Sequence, residues 1–376
     1  MSATSTTVRP RRRSRADIVR ANDAAVRTAV IHCVAEVGWD AMTLSGVAKR
    51  AGLTVGAVYN RAESKSELGN IVWSDAIRQP LTDGVNRILS AAEAGDAAAL
   101  SSAFDLWEND EILIANTVEF LIASLFDDEL DEVVGADMRS ILQRLRVDPD
   151  GSPLPAHVVA ANTLNMSMAF GRLLARRSNP DMPALTDAQL AVSAAFAAAR
   201  SPEPRPAHQP PVEFYRDAEI SPEQQQIDTA TLQVIARVGY RRATIARIAR
   251  AAGLTTGSLF SHYDSKAQLV SEAVAALLRT PAEMWDAYSP VAEEHGPLIG
   301  RAMWVADVLR PENARNWALD VELARIGRFV PELSGLQAQV EGHHHTNLGV
   351  MLVGCFGGDL HDLPFEDPFS AGSTTR

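Results

Sequence analysis

Threonines, glycines and one lysine recur at identical spacing in two segments of the 376-residue chain, 201 positions apart. Over residues 35–68 and 236–269, 13 of 34 aligned pairs are identical and no gap is needed. Hydroxyl side chains at these spacings cap helices, and the glycines end them. The sequence contains no Gly-rich phosphate loop, no metal-ligand set and no G-x-S-x-G nucleophile turn. It therefore predicts a duplicated helical domain, and no enzyme, cofactor or metal site.

The first segment has the pattern of two short helices that cross at a tight turn. Thr43 can cap the first helix, Gly52 can end it, and Thr54 can cap the second. A turn of three to four residues that contains glycine between two helices is typical of a DNA-binding helix-turn-helix. Ser64 followed by Glu67, and Ser265 followed by Gln268, form capping boxes that start a third helix.

Both segments, AGLTVGAVYNRAESKSEL and AAGLTTGSLFSHYDSKAQL, resemble the N-terminal DNA-binding domain of the TetR family of transcriptional regulators. The resemblance covers about 50 residues in each copy. It implies a recognition helix in the major groove of double-stranded DNA, a following helix that leads into a helical ligand domain, and a pseudo-palindromic operator. The tandem arrangement is similar to that of double-headed regulators of this type.

The resemblance assigns DNA contacts to matching positions of both segments. In the first segment these are Thr43, Thr54, Val55, Gly56, Ala57, Tyr59, Asn60, Arg61 and Lys65. In the second they are Thr244, Thr255, Thr256, Gly257, Ser258, Phe260, Ser261, His262, Tyr263 and Lys266. Small residues let a helix lie close to the bases, and a Thr methyl or Ser hydroxyl can meet a base edge. The alternative for Tyr59, Phe260 and Tyr263 is a place in the hydrophobic core.

The two segments differ just after the recognition helix. The family usually has a histidine and an aromatic residue there, as in His262 and Tyr263, whereas the first segment has Arg61 and Ala62. Arg61 can take over a phosphate contact, while Ala62 loses packing. These differences predict unequal half-sites and an asymmetric operator, with the second segment better formed.

Charge is distributed unevenly along a chain whose net charge is -12. Residues 1–79 carry 12 Lys/Arg against 7 Asp/Glu, and residues 216–280 carry 8 against 6. The two motif regions are therefore +5 and +2, and the remainder holds -19. Basic motif regions on an acidic chain suit specific DNA binding, because the acidic part limits non-specific binding.

The predicted architecture is all-α, with two tandem units that each have a helix-turn-helix head and a helical body. The Arg-rich start is either a solvated tail or an arm along the DNA backbone. Gly38 and Gly239 are expected to end the first helix of each head, and Pro80 to end the connector helix. The expected boundaries are a tail at 1–14, the first head at 15–79, the first body at 80–200, a Pro-rich linker at 201–220, the second head at 221–280, the second, shorter body at 281–357 and a tail at 358–376.

The bodies are the expected place for a small apolar ligand, which the resemblance implies. Aromatic and methionine side chains could line a pocket, although most of them could equally fill the bundle. The pocket candidates are Trp107, Phe120, Met166, Phe170, Trp304 and Trp317. Three adjacent histidines at 343–345 point in three directions on a helix, so at most one or two could bind one ion, and a polar or pocket-edge patch is favoured over a metal site.

Two questions stay open at this point. Residues 156–200 provide the dimer surface that the resemblance implies, either within one chain as a pseudo-dimer or between two chains. The function is either a repressor released by its ligand, or a partner-binding or ligand-sequestering scaffold whose first head no longer reads DNA. The two separate cysteines and the lack of a long apolar run predict a cytoplasmic protein with no membrane span.

Overall fold

The computed structural model describes residues 14–148, 150–178, 221–276, 293 and 314–333. Within these ranges the regular structure is helical, and the only β-type pairing is an isolated bridge between Val147 and Pro153. The all-α class predicted from the sequence is confirmed. The arginine-rich start, residues 179–200 of the expected dimer surface, the Pro-rich linker, Trp304, the histidines at 343–345 and the C-terminal tail lie outside the described residues.

The first head is built on a long helix, α1, which spans Arg15–Ala41. It begins at Arg15, because the Ser14 hydroxyl accepts from the Asp17 amide and the Asp17 carboxylate accepts from the Ser14 amide. Gly38 bends the helix with a φ of +77°, which confirms that this glycine ends the straight part. The short helices that follow are α2 (Leu44–Ala51), α3 (Val55–Tyr59) and α4 (Lys65–Val72).

The second head repeats this arrangement. Its long helix, α11, spans Pro222–Arg242 and bends at Gly239, whose φ is +73°. The short helices that follow are α12 (Ile245–Ala251), α13 (Thr256–His262) and α14 (266–276). The matching bends show that the repeat seen in the sequence is a repeat of backbone shape.

Pro80 does not end the connector helix, contrary to the prediction. α4 runs into a π-helical turn at Trp73–Ile77, and α5 then covers Arg78–Glu93. The wider turn interrupts the regular ladder of hydrogen bonds. Pro80 consequently falls in the first turn of α5, where a missing N–H group is tolerated. The first head is therefore joined to its body by continuous helix.

The first body is a bundle around a core that it shares with the first head. Phe120 is fully buried, with ring centroids 5.1 Å from Trp39 of the head and 6.1 Å from Trp73 of the connector. The remaining helices of this body lie within the expected range 80–200. Their observed bounds are α6 (Ala97–Glu108), α7 (Glu111–Ser124), α8 (Asp128–Leu130), a π turn (Asp131–Gly135), α9 (Ala136–Gln143) and α10 (Ala156–Ser178).

The described part of the second body is helix α15, Ala314–Ile326, followed by a 3₁₀ turn at Pro331–Leu333. α15 packs on α11 of its own head in the way that α7 packs on α1. It also contacts α7 itself, so the two units meet through these equivalent helices.

Candidate nucleic-acid interface

Hydroxyl caps hold the helix-turn-helix of the first head in shape. The Thr43 hydroxyl accepts from the Gly46 amide at 3.1 Å, and the Thr54 hydroxyl accepts from the Ala57 amide at 3.2 Å. Between them Gly52 has a φ of +67°, which reverses the chain after α2. The caps were predicted from residue type and spacing, and all are present.

The recognition helix of the first head, α3, leaves one face open to solvent. Val58 is fully buried against α2, whereas the side chain of Tyr59 is 52 % exposed. The predicted contact residues Thr54, Val55, Gly56 and Asn60 are exposed with it, and Ala57 is half-buried. This face consists of small side chains, Val55 and Asn60 around a single aromatic ring.

The recognition helix of the second head, α13, has the same design with different side chains. The Thr255 hydroxyl accepts from the Ser258 amide at 3.1 Å, Leu259 is fully buried, and Phe260 is 55 % exposed. The exposed predicted contacts are Thr244, Thr255, Thr256, Gly257, Ser261 and His262, and Ser258 is half-buried. A ring without a hydroxyl therefore stands where the first head presents a tyrosine.

The heads also match a known family. Residues 28–70 and 227–273 both match the model of bacterial regulatory proteins of the tetR family. Both heads are TetR-type regulatory domains. Each match spans one helix-turn-helix, so the protein is a DNA-binding transcription regulator with two TetR-type heads. No curated protein matches the chain.

Tyr263 is not part of the exposed face of the second TetR-type head, which corrects its assignment as a DNA contact. Its side chain is 2 % exposed, and its hydroxyl accepts from the Gln224 amide group at 2.5 Å. The helix α13 ends at His262, so the next side chain turns inward against α11. Ala62, at the matching position of the first head, is also buried and fills less of the core.

Arg61 is likewise engaged inside the protein rather than directed toward a phosphate. Its Nε donates to the Asp23 carboxylate of α1 at 2.7 Å, and its Nη1 donates to the Ala57 carbonyl. The guanidinium thus ties the end of α3 back to α1. The notion that it replaces a histidine phosphate contact does not fit this placement.

Lys65 and Lys266 occupy equivalent, half-buried positions. The Lys65 ammonium donates to the carbonyls of Trp39 and Asp40 and lies 4.6 Å from the Trp39 ring centroid. The Lys266 ammonium donates to the Tyr240 carbonyl at 3.0 Å and lies 3.9 Å from that ring. Burial lowers the pKa of Lys65 to about 8 and also lowers the pKa of Lys266. Both ammonium groups must turn outward to meet a phosphate.

The aromatic pocket candidates of the first body are packed as core. Trp107 and Phe170 meet edge to face at a centroid distance of 5.7 Å, and a Cβ on Gly84 would come within 2.3 Å of the Trp107 ring. Phe120, Met166 and Trp317 are buried in the same cluster. A cleft lies elsewhere, between the two units, and its lining includes charged residues rather than these side chains.

A charged network that was not predicted from the sequence lies at that cleft. Asp40 of the first head, Glu119 of α7 and Glu322 of α15 surround the guanidinium of Arg325. Burial opposes ionisation of Asp40, but Arg325 and Lys65 outweigh it and hold its pKa below the usual value. The internal alignment could have indicated the two glutamates, because pairing residues 128–130 with 331–333 places Glu119 opposite Glu322.

Proposed function

We propose that one chain reads an operator made of two unlike half-sites, one for each head, and that the two units form a pseudo-dimer within the chain. The observation that carries this proposal is the exposure of both recognition faces while α7 and α15 are packed against each other. A second copy is then unnecessary for contact with two half-sites.

The unlike half-sites follow from the side chains on the two faces. Matching positions carry different groups, which alter hydrogen bonding and shape at the base edges. The differing pairs are Val55 and Thr256, Ala57 and Ser258, Tyr59 and Phe260, Asn60 and Ser261.

The scaffold alternative, in which the first head has lost DNA reading, has less support. Ala62 weakens packing beneath the recognition helix, but the Thr43 and Thr54 caps are intact and Tyr59 is open to solvent. This exposed recognition face fits a first head that still binds DNA better than one that has lost DNA binding.

Repression and its relief by an apolar ligand remain part of the proposal, on the strength of the resemblance. The close packing of Trp107 and Phe170 means that a ligand must displace core side chains to enter the first body. Thermal-shift measurements with fatty acyl and steroid compounds test this point, and an unchanged melting temperature throughout would count against it. Reading a chromosomal operator also implies a cytoplasmic protein.

Selection from a pool of random duplexes at stated salt tests the DNA proposal. We expect the enriched duplexes to contain two different half-sites, with one chain bound per duplex in sedimentation experiments. Asn60→Ala should alter preference in one half-site and Ser261→Ala in the other, whereas Gln79→Ala, an exposed change on α5, should alter neither. Two chains per duplex would refute the intrachain pseudo-dimer, and no enrichment would refute DNA reading.

A further inference from the structure

Helix α15 belongs to two hydrophobic cores at once. Trp317, Val321 and Ala324 are buried in the core of the first unit. Leu319, Leu323 and Ile326 are buried in the core of the second head. The helix therefore cannot move relative to either unit without exposing one of its apolar faces.

Two glutamates connect equivalent helices to equivalent bends. Glu119 of α7 accepts from the Trp39 amide at 2.8 Å, and Glu322 of α15 accepts from the Tyr240 amide at 2.7 Å. Each amide belongs to the residue directly after the glycine bend of its head. Both carboxylates are fully buried. Each glutamate therefore attaches its body to the backbone just before the helix-turn-helix of the same unit.

Arg325 joins these two attachments. Its Nη1 donates to Glu119 at 3.1 Å, and its Nε donates to Glu322 at 2.8 Å. Its Nη2 donates to the Asp40 carboxylate at 2.7 Å and to Glu322 at 3.0 Å. The side chain is 3 % exposed. One planar guanidinium thus binds carboxylates of both units, a geometry that lysine cannot reproduce.

Two phenylalanines reinforce this junction by crossing between the units. A Cβ built on Gly38 of the first head would lie 2.8 Å from the Phe329 ring of the second unit. A Cβ built on Gly239 of the second head would lie 3.4 Å from the Phe126 ring of the first unit. Each glycine bend is therefore in contact with the body of the opposite unit.

We propose that Arg325 is a positioning residue that fixes the separation and orientation of the two recognition helices, so that the chain selects operators by half-site spacing. This inference rests on the proposed function that both heads read DNA. A single added base pair shifts one half-site by about 3.4 Å and turns it by about 35°. Rigidly joined heads cannot follow such a change, whereas loosely joined heads can.

The first experiment measures head separation without DNA. Spin labels at Ser45→Cys and Ala246→Cys, equivalent exposed positions on α2 and α12, report the distance by pulsed electron resonance in a chain with Cys33 and Cys355 changed to Ser. We expect a narrow distribution of label distances in the chain that retains Arg325 and a broad one in Arg325→Met. Arg325→Lys should give an intermediate width. The matched control is Arg139→Met, which removes an exposed ion pair within the first body and should leave the distance narrow.

The second experiment measures affinity for duplexes in which the selected half-sites are moved apart or together by one and two base pairs. The unaltered chain should lose at least about tenfold in affinity away from its preferred spacing. Arg325→Met should bind all spacings within about threefold of one another, because its heads are no longer held in register. Arg139→Met should keep the original preference.

Phe329→Ala weakens the same junction without changing the buried charge cluster. It replaces Arg325→Met in both experiments if circular dichroism shows that Arg325→Met is unfolded. Unchanged distance distributions and unchanged spacing preference in the folded variants would overturn the inference. Failure of the unaltered chain to select any duplex would instead refute the proposed function, and the distance measurement would still report whether Arg325 positions the heads.

Discussion

Raising the pH from 7 to 9 should weaken DNA binding by removing the charge of Lys65. The ammonium group lies in a half-buried site, and this desolvation lowers its pKa to about 8. Asp40 favours the charged form and Arg241 disfavours it, with smaller effects. If a phosphate meets Lys65 in the complex, it requires the ammonium form, which the free protein holds only below its pKa.

The magnitude follows from this pKa. A group with a pKa of about 8 is roughly 90 % charged at pH 7 and roughly 10 % charged at pH 9. The association constant should therefore fall about tenfold over this interval, with uptake of one proton on binding at the higher pH. Lys65→Gln should remove this contribution and reduce the salt dependence by about 0.9 in the logarithmic slope, as expected for one lost phosphate contact.

The contribution of Lys65 to stability changes in the opposite direction, so it does not imitate the loss of DNA binding. The pKa of Lys65 is about 8 in the folded protein and about 10.5 in the unfolded chain, so between these values the unfolded chain binds more protons. The contribution of Lys65 to the free energy of unfolding therefore rises with pH in this window. After a discount for its partial exposure, the rise is about 1–2 kcal/mol.

Fluorescence anisotropy at constant ionic strength measures the affinity between pH 7 and 9. The matched control is Lys49→Gln, an exposed lysine of α2. The chain has three lysines in all, so carbon-13 methylation and NMR can follow each side chain, with Lys65→Arg to assign the signal. The prediction is contradicted by a Lys65 signal that titrates near 10.5, or by a Lys65→Gln variant that retains the whole tenfold loss.

Three further predictions concern the core, the bends and the second half-site. Tyr263→Ala should destabilise the second head by about 3–5 kcal/mol, because the ring is buried, whereas Tyr59→Ala should change the stability by less than about 0.5 kcal/mol; equal melting temperatures would contradict this. Both Gly38 and Gly52 have a positive φ, which costs a residue with a side chain about 1–3 kcal/mol. Gly38→Ala should lower the free energy of unfolding more than Gly52→Ala in chemical denaturation, because only a Cβ at Gly38 also meets a ring of the opposite unit. Phe260→Ala should weaken binding to duplexes carrying the second half-site alone by about tenfold, through loss of an exposed aromatic contact, and equal loss on the first half-site would argue against separate reading.

The parts of the fold that the sequence predicts well are those decided within a few residues. Thr43, Thr54 and Ser64 cap helices as expected, since the acceptor and the amide it binds are three positions apart. Gly38 and Gly239 bend their helices as expected, because a positive φ favours glycine. These caps and bends determine which face of each recognition helix is exposed.

The features that escaped prediction depend on contacts between distant residues. Pro80 continues a helix only because a π turn precedes it, and no local pattern marks that turn. Arg61 points inward because Asp23, 38 positions earlier, lies beside it. Arg325 pairs with Asp40 across 285 positions. In each case the tertiary fold supplies a partner that residue spacing alone does not reveal.

The network around Arg325 depends on the two units being unlike. Under the pairing that aligns Glu119 with Glu322, the counterpart of Arg325 is Ile122, which is fully buried in α7. Isoleucine at both positions 122 and 325 would leave the two buried glutamates without a cation. Arginine at both positions would place two large cations in the same buried site. Because breaking a buried ion pair costs about 3–5 kcal/mol, one arginine for both glutamates is a stabilising solution. An assembly of identical subunits cannot adopt it, since every substitution appears twice, whereas a duplicated chain can change one copy alone. The differences between the two recognition faces are possible for the same reason.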